Sequence, residues 1–577
     1  MRLKLLPVLS AKSFKVRFRA LFLTSEAAAF YLLTLPAFWL IGRDYLTRRG
    51  DLSPMVAMHL VINQLVTTEQ VPYVDFLDLA QPIIYELYRL PALLNDALGF
   101  CGMPMRLEEV VKLIFIVLTA LSSVACFLIL GLARSSLQAR VGTEPAEKAE
   151  EEALTEALSL SQVAFPLAPV LLAYMGRFQL GEVQFLMALA FIPWIAIRYL
   201  AYRGWQLSPF VGLFLGAVTG LAFSLEFPYL LAPLALEAVL SASMKRLKPV
   251  SCLDNLGLVL AALVVALRLY KWPEAMQTAY WNWIMPLRML QFGELDEMIH
   301  GLGTSPDLFY VFYCFIAVFI LFVLAGKRNL VYVPVIAGSV IGISFFLLEK
   351  QGFTRDILLA MGSILLGLAL FLCDFIQRFC RRFVAHQTLR KRVFLMLLAP
   401  PVCAYSAFFL ARIEADYSEG INPNPKVESP GLGDINSSVQ AHSRWREPVA
   451  ILCDYPDSAY PLLFNLDRTP GTYLINGRPV RHLMRLEQLS MLTGHWKELK
   501  DTILRNLEAE FSSSRAELVL VSGCHLQDYV QQNGLLDLLR ENYDQGAPCI
   551  FLSDNRQPRE FIGFYYGYDT WLRRKSK

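Results

Sequence analysis

EVVKLIFIVLTALSSVACFLILGLA, residues 109–133, bears a glutamate and a lysine at its start and no charge from Leu113 to Ala133. At about 1.5 Å of rise per residue, a helix of this length crosses the ~30 Å hydrocarbon core of a bilayer. Runs of the same character recur near 22–42, 157–176, 183–201, 208–224, 228–243, 253–270, 306–326, 329–348, 356–377 and 392–412. The two runs either side of Pro228 also read as one broken helix. The chain is 55% hydrophobic and 18% charged, against roughly 25% charged for a soluble domain. It therefore reads as a polytopic α-helical membrane protein of about eleven transmembrane helices.

The net charge of +3 matters less than where the cations stand. Arg2, Lys4, Lys12, Lys15, Arg17 and Arg19 precede the first run. Lys245, Arg246 and Lys248, then Lys327 and Arg328, then the cluster from Arg378 to Arg392, follow later ones. The positive-inside rule puts all of them in the cytoplasm. The loops 43–108, 177–182, 225–227, 271–305 and 349–355, with everything after about residue 413, then face the far side of an inner (plasma) membrane. The start of the chain is basic, then apolar, with no small-residue cleavage site, which reads as an uncleaved first span with a cytoplasmic N-terminus. EPAEKAEEEALTEALS (144–159) is either a helix that docks a partner or a solvated helix near the surface.

Past Ile413 the composition changes to ADYSEGINPNPKVESPGLGDINSS, rich in Pro, Gly, Ser and Asn. The chain thus divides into a membrane domain (1–412), a linker (413–444) and a small extracytoplasmic α/β domain (445–577). In the last, PVAILC (448–453), AELVLVS (516–522) and PCIFLS (548–553) read as buried strands, and LQDYVQQNGLLDLLREN (526–542) as helical. GxGxxG, GxxxxGK[ST] and GxSxG motifs are absent, and the seven histidines form no HxxH or HExxH. Ten irregularly spaced cysteines make neither a disulfide framework nor a CxxC metal site. Cys453, Cys524 and Cys549 offer one pair for oxidation without indicating which. Cys524 and His525, as neighbours on a strand, point to opposite faces and make a poor nucleophile pair.

VPYVDFLDLAQPIIYELYRL (71–90) places Asp75 and Asp78 in the first external loop. Spacing of three sets the two acids on neighbouring positions of a helical turn, while Pro72 and Pro82 argue for a bent segment. Carboxylates close to a bilayer are costly unless they face water or a polar cavity, which marks them as functional candidates. The alternative is an interfacial loop with Tyr73, Tyr85 and Tyr88 as an aromatic belt. Glu182 stands at the outer end of one span, and Lys350 and Arg355 at the outer end of another. Acids and cations gathered on one side suit transfer from a phosphorylated lipid, the cations holding the leaving phosphate while a carboxylate takes a hydroxyl proton.

A basic N-terminus, one span, an external loop with VPYVDF and then a Pro/Tyr-rich stretch resemble the GT-C superfamily of polyprenyl-phosphate-dependent glycosyltransferases, near the bacterial relatives of protein mannosyltransferases. FQLGEVQFLMALAFIPWIAIR, GLAFSLEFPYLLAPLALE and EKQGFTRDILLAMGSILLGLAL fall where segments of that family are expected, so the resemblance covers roughly 15–412. Departures are Gln70 in place of a common Gly, Gln351-Gly352-Phe353 followed by Arg355 and Asp356 in place of a Lys-Gly-aromatic run with a Tyr-His pair, and Glu226 where a basic residue is frequent.

The resemblance implies a hexosyl- or pentosyltransferase that moves a sugar from a polyprenyl-phosphate donor to an extracytoplasmic acceptor (envelope lipid, polysaccharide or protein), with inversion. It implies Asp75 as general base and Asp78, Glu182, Lys350, Arg355, Tyr73, Gln81 and Tyr85 at the substrate. Asp78 would orient the acceptor, bind a divalent cation (Mg or Mn), or be a plain surface charge. Lys350 and Arg355 would hold phosphate or anchor helix ends to headgroups, and Tyr280, Trp281 and Trp283 would cradle a sugar or belt the interface. The bilayer, the lipid donor and the acceptor are the expected partners, with no nucleic acid. The competing reading is a transporter or lipid flippase with a soluble external tail.

Overall fold

A computed structural model describes residues 25–47, 52–103, 105–138, 145–176, 179–205, 208–245, 252–290, 306–325, 332–349, 354–384, 433–453, 459–521, 524–546, 549–551 and 566–574, with isolated positions at 247, 250 and between 393 and 400. Among these residues, six helices are long and apolar enough to cross a membrane: those within Leu107–Ser135, Leu158–Met175, Val183–Tyr202, Phe227–Met244, Leu253–Tyr270 and Leu358–Phe383. The protein is a helical membrane protein on that ground. The other expected runs up to residue 377 are helical too, as Ser25–Thr47, Pro209–Ser224, Pro306–Ala325 and Tyr332–Glu349. The run 392–412 lies outside the described residues except for short pieces. At Pro228 the chain is interrupted by a 3-10 turn, Phe227–Leu230, between two helices. The acidic segment from Pro145 continues unbroken into its span as the Pro145–Met175 helix.

Contacts divide the chain into two compact units. The first holds Met1–Arg49, Glu109–Ala266 and Asp296–Glu414. Its core is the helix Leu358–Phe383, packed on Pro145–Met175, Val183–Tyr202, Pro306–Ala325 and Tyr332–Glu349. Val183–Tyr202 is largely apolar and, Arg198 included, buried over nearly its whole length, the pattern of a helix at the centre of a bundle. Pro209–Ser224 shows the opposite division of labour. Phe210, Phe214, Val218 and Leu221 are exposed, whereas Gly212, Gly216 and Gly220 turn toward Leu253–Tyr270. A Cβ on Gly216 would sit 1.9 Å from the Asp254 carbonyl oxygen, and one on Gly257 2.2 Å from that of Leu213. Backbones approach this closely only where small residues recur every fourth position.

The second unit holds Gly50–Glu108, Leu267–Leu295 and Ala415–Lys577, so two segments of the first 300 residues pack with the C-terminal region. Helices Pro54–Thr67 and Pro82–Phe100 each start with proline in the first turn, where its missing N–H costs nothing. The C-terminal region is built on a sheet of strands β1 (Gly433–Asp434), β2 (Pro448–Leu452), β3 (Thr469–Pro470), β4 (Leu518–Val521), β5 (Tyr543–Gln545), β6 (Cys549–Phe551) and β7 (Tyr566–Arg573). Its order is β1-β6-β7-β4-β2-β3, with β5 also on β7. β2 runs parallel to β3 and β4, and β7 is antiparallel to β4, β5 and β6. β4 is buried along its length, which explains the unbroken LVLV.

The three expected strands are present; β7 and the short β1, β3 and β5 are additional. The expected helix over 526–542 is two, Cys524–Gln532 and Leu535–Asn542, parted at Gly534, whose φ of +74° favours glycine. Cys524 and His525 open the first of these and are not on a strand. The expected linker already carries β1 and the helix Ile435–His442. Cys453 is buried and in no disulfide among the described residues, while the side chains of Cys524 and Cys549 lie outside the described residues.

Candidate functional site

Residues 71–81 join the helices Pro54–Thr67 and Pro82–Phe100, and they are not helical. Asp75 and Asp78 thus do not share a helical turn; the segment is bent, as Pro72 and Pro82 suggest. Tyr73 takes a left-handed φ of +68°, a conformation that costs a non-glycine residue about 1–3 kcal/mol unless its surroundings enforce it. Several contacts do. The Tyr73 N–H donates to Phe76 O at 2.7 Å and its hydroxyl to Ala80 O at 2.5 Å. The Tyr473 hydroxyl donates to Tyr73 O at 3.3 Å, and the Tyr280 ring lies 5.9 Å from the Tyr73 ring. Two more bonds, Leu77 N–H to Tyr473 O (2.6 Å) and Ile475 N–H to Leu77 O (3.1 Å), make Leu77 and Leu474 a parallel β-bridge. Arg288 donates to Leu79 O at 3.2 Å.

The two aspartates have opposite environments. Asp78 is 1% exposed. Its Oδ2 accepts the Tyr85 hydroxyl (2.9 Å) and the Ala80 N–H (3.3 Å), and its Oδ1 accepts the Asn476 amide (3.0 Å). Asn476 in turn accepts the Arg478 N–H at 3.1 Å. Donors thus surround both oxygens, as a buried carboxylate requires. A plain surface charge is the wrong description of Asp78. Burial, with Asp78 second, holds the Tyr85 phenol well above its ordinary range, and burial, with Tyr280 and then Asp78, does the same for Tyr73. Asp75 is exposed, and its Oδ2 accepts the Val71 N–H at 2.7 Å. That bond pins the carboxylate to its own turn and leaves it open to an incoming group.

Tyr473 links the loop to the helix His495–Ser513, because its N–H donates to Glu510 Oε1 at 2.6 Å. Burial pushes Glu510 up to about 7, against the hydrogen bonds of Tyr473 and Thr472 and the charge of Arg515. Glu510 Oε2 is buried and meets no hydrogen-bond partner among the described residues. Burial, then Glu510, then Asp75 raise the Tyr473 phenol.

Gln81 is fully buried at the N-terminal boundary of Pro82–Phe100. Tyr280 opens a π-helical turn, Tyr280–Ile284, the kind of irregularity that collects at functional sites, with Trp281 half exposed beside it. Tyr73, Asp78 and Tyr85 are therefore drawn together with Tyr473 and Asn476. Glu182 and Arg355 belong to the first unit. Glu182 is the buried N-cap residue of Val183–Tyr202, where the helix dipole favours a carboxylate, and Arg355 sits in the turn Thr354–Ile357. The Arg355 side chain and all of Lys350 lie outside the described residues. Among the described residues no three His, Cys, Asp or Glu side chains are grouped to hold a metal ion.

Within the first unit a different polar cluster is buried. Arg198 on Val183–Tyr202 forms ion pairs with Glu237 on Leu231–Met244 and Asp254 at the start of Leu253–Tyr270. Its Nη2 donates to Glu237 Oε2 at 2.8 Å, which also accepts Tyr202 (3.2 Å) and Asn255 (3.3 Å). The guanidinium lies over the rings of Trp194 and Tyr202, at 5.5 and 5.7 Å.

Sequence reading does not single out Asn476, Tyr473, Glu510, Arg288 or the Arg198 triad. Asn476-Gly477 before Arg478-Pro479 is a helix-start signal, but nothing in it names Asp78, 398 positions away, as the partner. No protein-family model matches the chain, and no curated protein matches it either.

Proposed function

We propose that the chain is a membrane glycosyltransferase that moves a sugar from a polyprenyl-phosphate donor to an extracytoplasmic acceptor, with inversion, and that Asp75 is its general base. The observation that carries this reading is the contrast within one loop: an exposed carboxylate stands on a backbone held fast by buried contacts at Tyr73, Leu77 and Asp78. A base works best when its geometry is set in advance. In the reaction the acceptor oxygen attacks the anomeric carbon, the bond from that carbon to the phosphate oxygen breaks, and the hydroxyl proton passes to Asp75. The lipid phosphate leaves as an anion.

A positioned base contributes about 10²- to 10⁴-fold, so Asp75→Asn is expected to lower transfer by that factor. The assay is incubation of the purified protein with labelled polyprenyl-phosphate sugars. Wild-type transfer by the variant, or no transfer by the wild type with any donor, sinks the reading. A second reading, transporter or flippase, draws on the Arg198 triad, because buried charges inside a helical bundle are features of substrate and ion pathways. Uptake into proteoliposomes without a glycosylated product would favour it.

A further inference from the structure

The helix Pro82–Phe100 carries apolar residues on two sides. Ile84, Tyr85, Tyr88 and Pro91 are buried. Leu90, Leu93, Leu94 and Phe100 are exposed, Phe100 to 93%, and so is Ala97. At about 100° per residue these five fall within an arc of about 120°, centred opposite Tyr88. Arg89 and Asp96, both exposed, border the arc. Met103, just past the turn at Gly102 (φ +75°), is exposed as well. Contiguous apolar surface left outside in this way marks contact with another molecule or with lipid.

The chain itself says which. Glu86, on the same side one turn before Leu90, pairs with Arg268 at 2.9 Å. Arg268 stands in the last turn of Leu253–Tyr270, one of the helices apolar enough to cross a membrane. At the other end, residues 101–106 alone separate Phe100 from Leu107, where another such helix begins. A connection of that length reaches at most about 25 Å at about 3.6 Å per residue. The helix, with 19 residues, is thus tied near its start to the end of one span and at its finish to the beginning of another. Its apolar arc bordered by charged side chains is the pattern of a helix lying in a membrane interface, apolar face inward.

We propose that Pro82–Phe100 lies along the lipid surface, with Leu90, Leu93, Leu94, Ala97 and Phe100 among the acyl chains, Arg89 and Asp96 at the headgroups, and the two span ends that hold it on one side of the bilayer. Such a helix sinks about 5–10 Å into the boundary between headgroups and chains. Residues 71–81 run directly into Pro82, and the Tyr85 hydroxyl of the helix donates to Asp78 Oδ2 at 2.9 Å. The helix therefore fixes that loop, Asp75 included, at the level of the headgroups, where the phosphate of a lipid-linked donor stands. This last step rests on the sugar-transfer reading; the contact with lipid does not.

The test places the photoreactive residue p-benzoylphenylalanine in the full chain at Leu93, at Phe100 or, as a water-facing control, at Asp537, whose side chain is exposed on Leu535–Asn542. Each protein is reconstituted in phosphatidylcholine liposomes and irradiated, and the adducts are identified by mass spectrometry of the peptides. The expected result is phosphatidylcholine bound at Leu93 and Phe100 and not at Asp537. Crosslinks to a second copy in place of lipid would assign the face to a dimer and overturn the proposal. So would equal lipid yield at all three positions, or no adduct at Leu93 and Phe100. Transfer assays on the wild-type liposomes separate the two readings: lipid adducts without any transfer sink sugar transfer and leave the interfacial helix standing, and transfer without adducts does the reverse.

Discussion

Asp78 in the second unit and the Arg198 triad in the first both bury carboxylates, yet they stabilise them differently. Around Asp78 the partners are a phenol, an amide and a backbone N–H, all neutral. Around Glu237 and Asp254 the central partner is a guanidinium. The difference follows the surroundings. The triad lies on helices apolar enough to cross a membrane, where an uncompensated charge is most expensive, and a countercharge is the stronger remedy. The loop of Asp78 brings polar backbone of its own, so neutral donors are at hand to replace water. One Arg facing two acids also ties three helices, whereas Asp78 ties a loop to Asn476, just before the helix Arg478–Gln488.

Breaking the triad should have the largest effect. Arg198→Met leaves two carboxylates buried without their cation, and about 3–5 kcal/mol of stability is expected to be lost, read as a lower unfolding midpoint in detergent. Restoration of the midpoint by adding Glu237→Gln and Asp254→Asn would confirm that the charges, not the packing, carry the effect. An Arg198→Met protein as stable as the wild type would break the comparison. Asp78→Ala comes next. It strands the Tyr85 hydroxyl and the Asn476 amide, and about 2–3 kcal/mol is expected to go, with fluorescence from the neighbouring tyrosines changed. Asp78→Asn should cost less, since one acceptor oxygen survives.

A smaller effect is expected from pH through Glu510. Its folded value, about 7, lies above that of the unfolded chain, near 4.5. The native state therefore holds the proton more tightly, and this contribution is fully present below about pH 4.5 and lost as pH rises through about 7. Glu510→Gln should flatten the dependence in that window, and an unchanged slope would show that Glu510 is not its source. The smallest effect on stability belongs to Asp75→Asn, within about 0.5 kcal/mol, because the exposed side chain has one backbone bond to its own turn. A large loss there would make Asp75 structural, as Asp78 is.

How much of this was legible in the sequence differs by element. Long apolar runs such as 183–201 and 356–377 announce helices because hydrophobicity over twenty residues is a local property. The strands PVAILC, AELVLVS and PCIFLS are legible for the same reason. β7 was not, since Gly567 and Asp569 interrupt its apolar character and its neighbours are set by pairing with β4 and β6. In the loop, the presence of two acids was legible but their roles were not. Asp75 and Asp78 have the same side chain, and one is exposed while the other is 1% exposed. Burial is decided by what packs over a residue, and here that is Asn476 and its surroundings.

Composition and hydropathy period by themselves determined that this chain is a helical membrane protein with a strand-bearing C-terminal region, because the cost of leaving apolar surface in water or backbone polar groups in lipid is paid residue by residue. Only the tertiary structure decided that residues 50–108 and 267–295 pack with that C-terminal region, that Leu77 pairs with Leu474, and that Arg198 sits between Glu237 and Asp254. Those choices rest on hydrogen bonds and ion pairs a few ångströms long between side chains far apart in sequence, and such distances have no trace in any local pattern of residues.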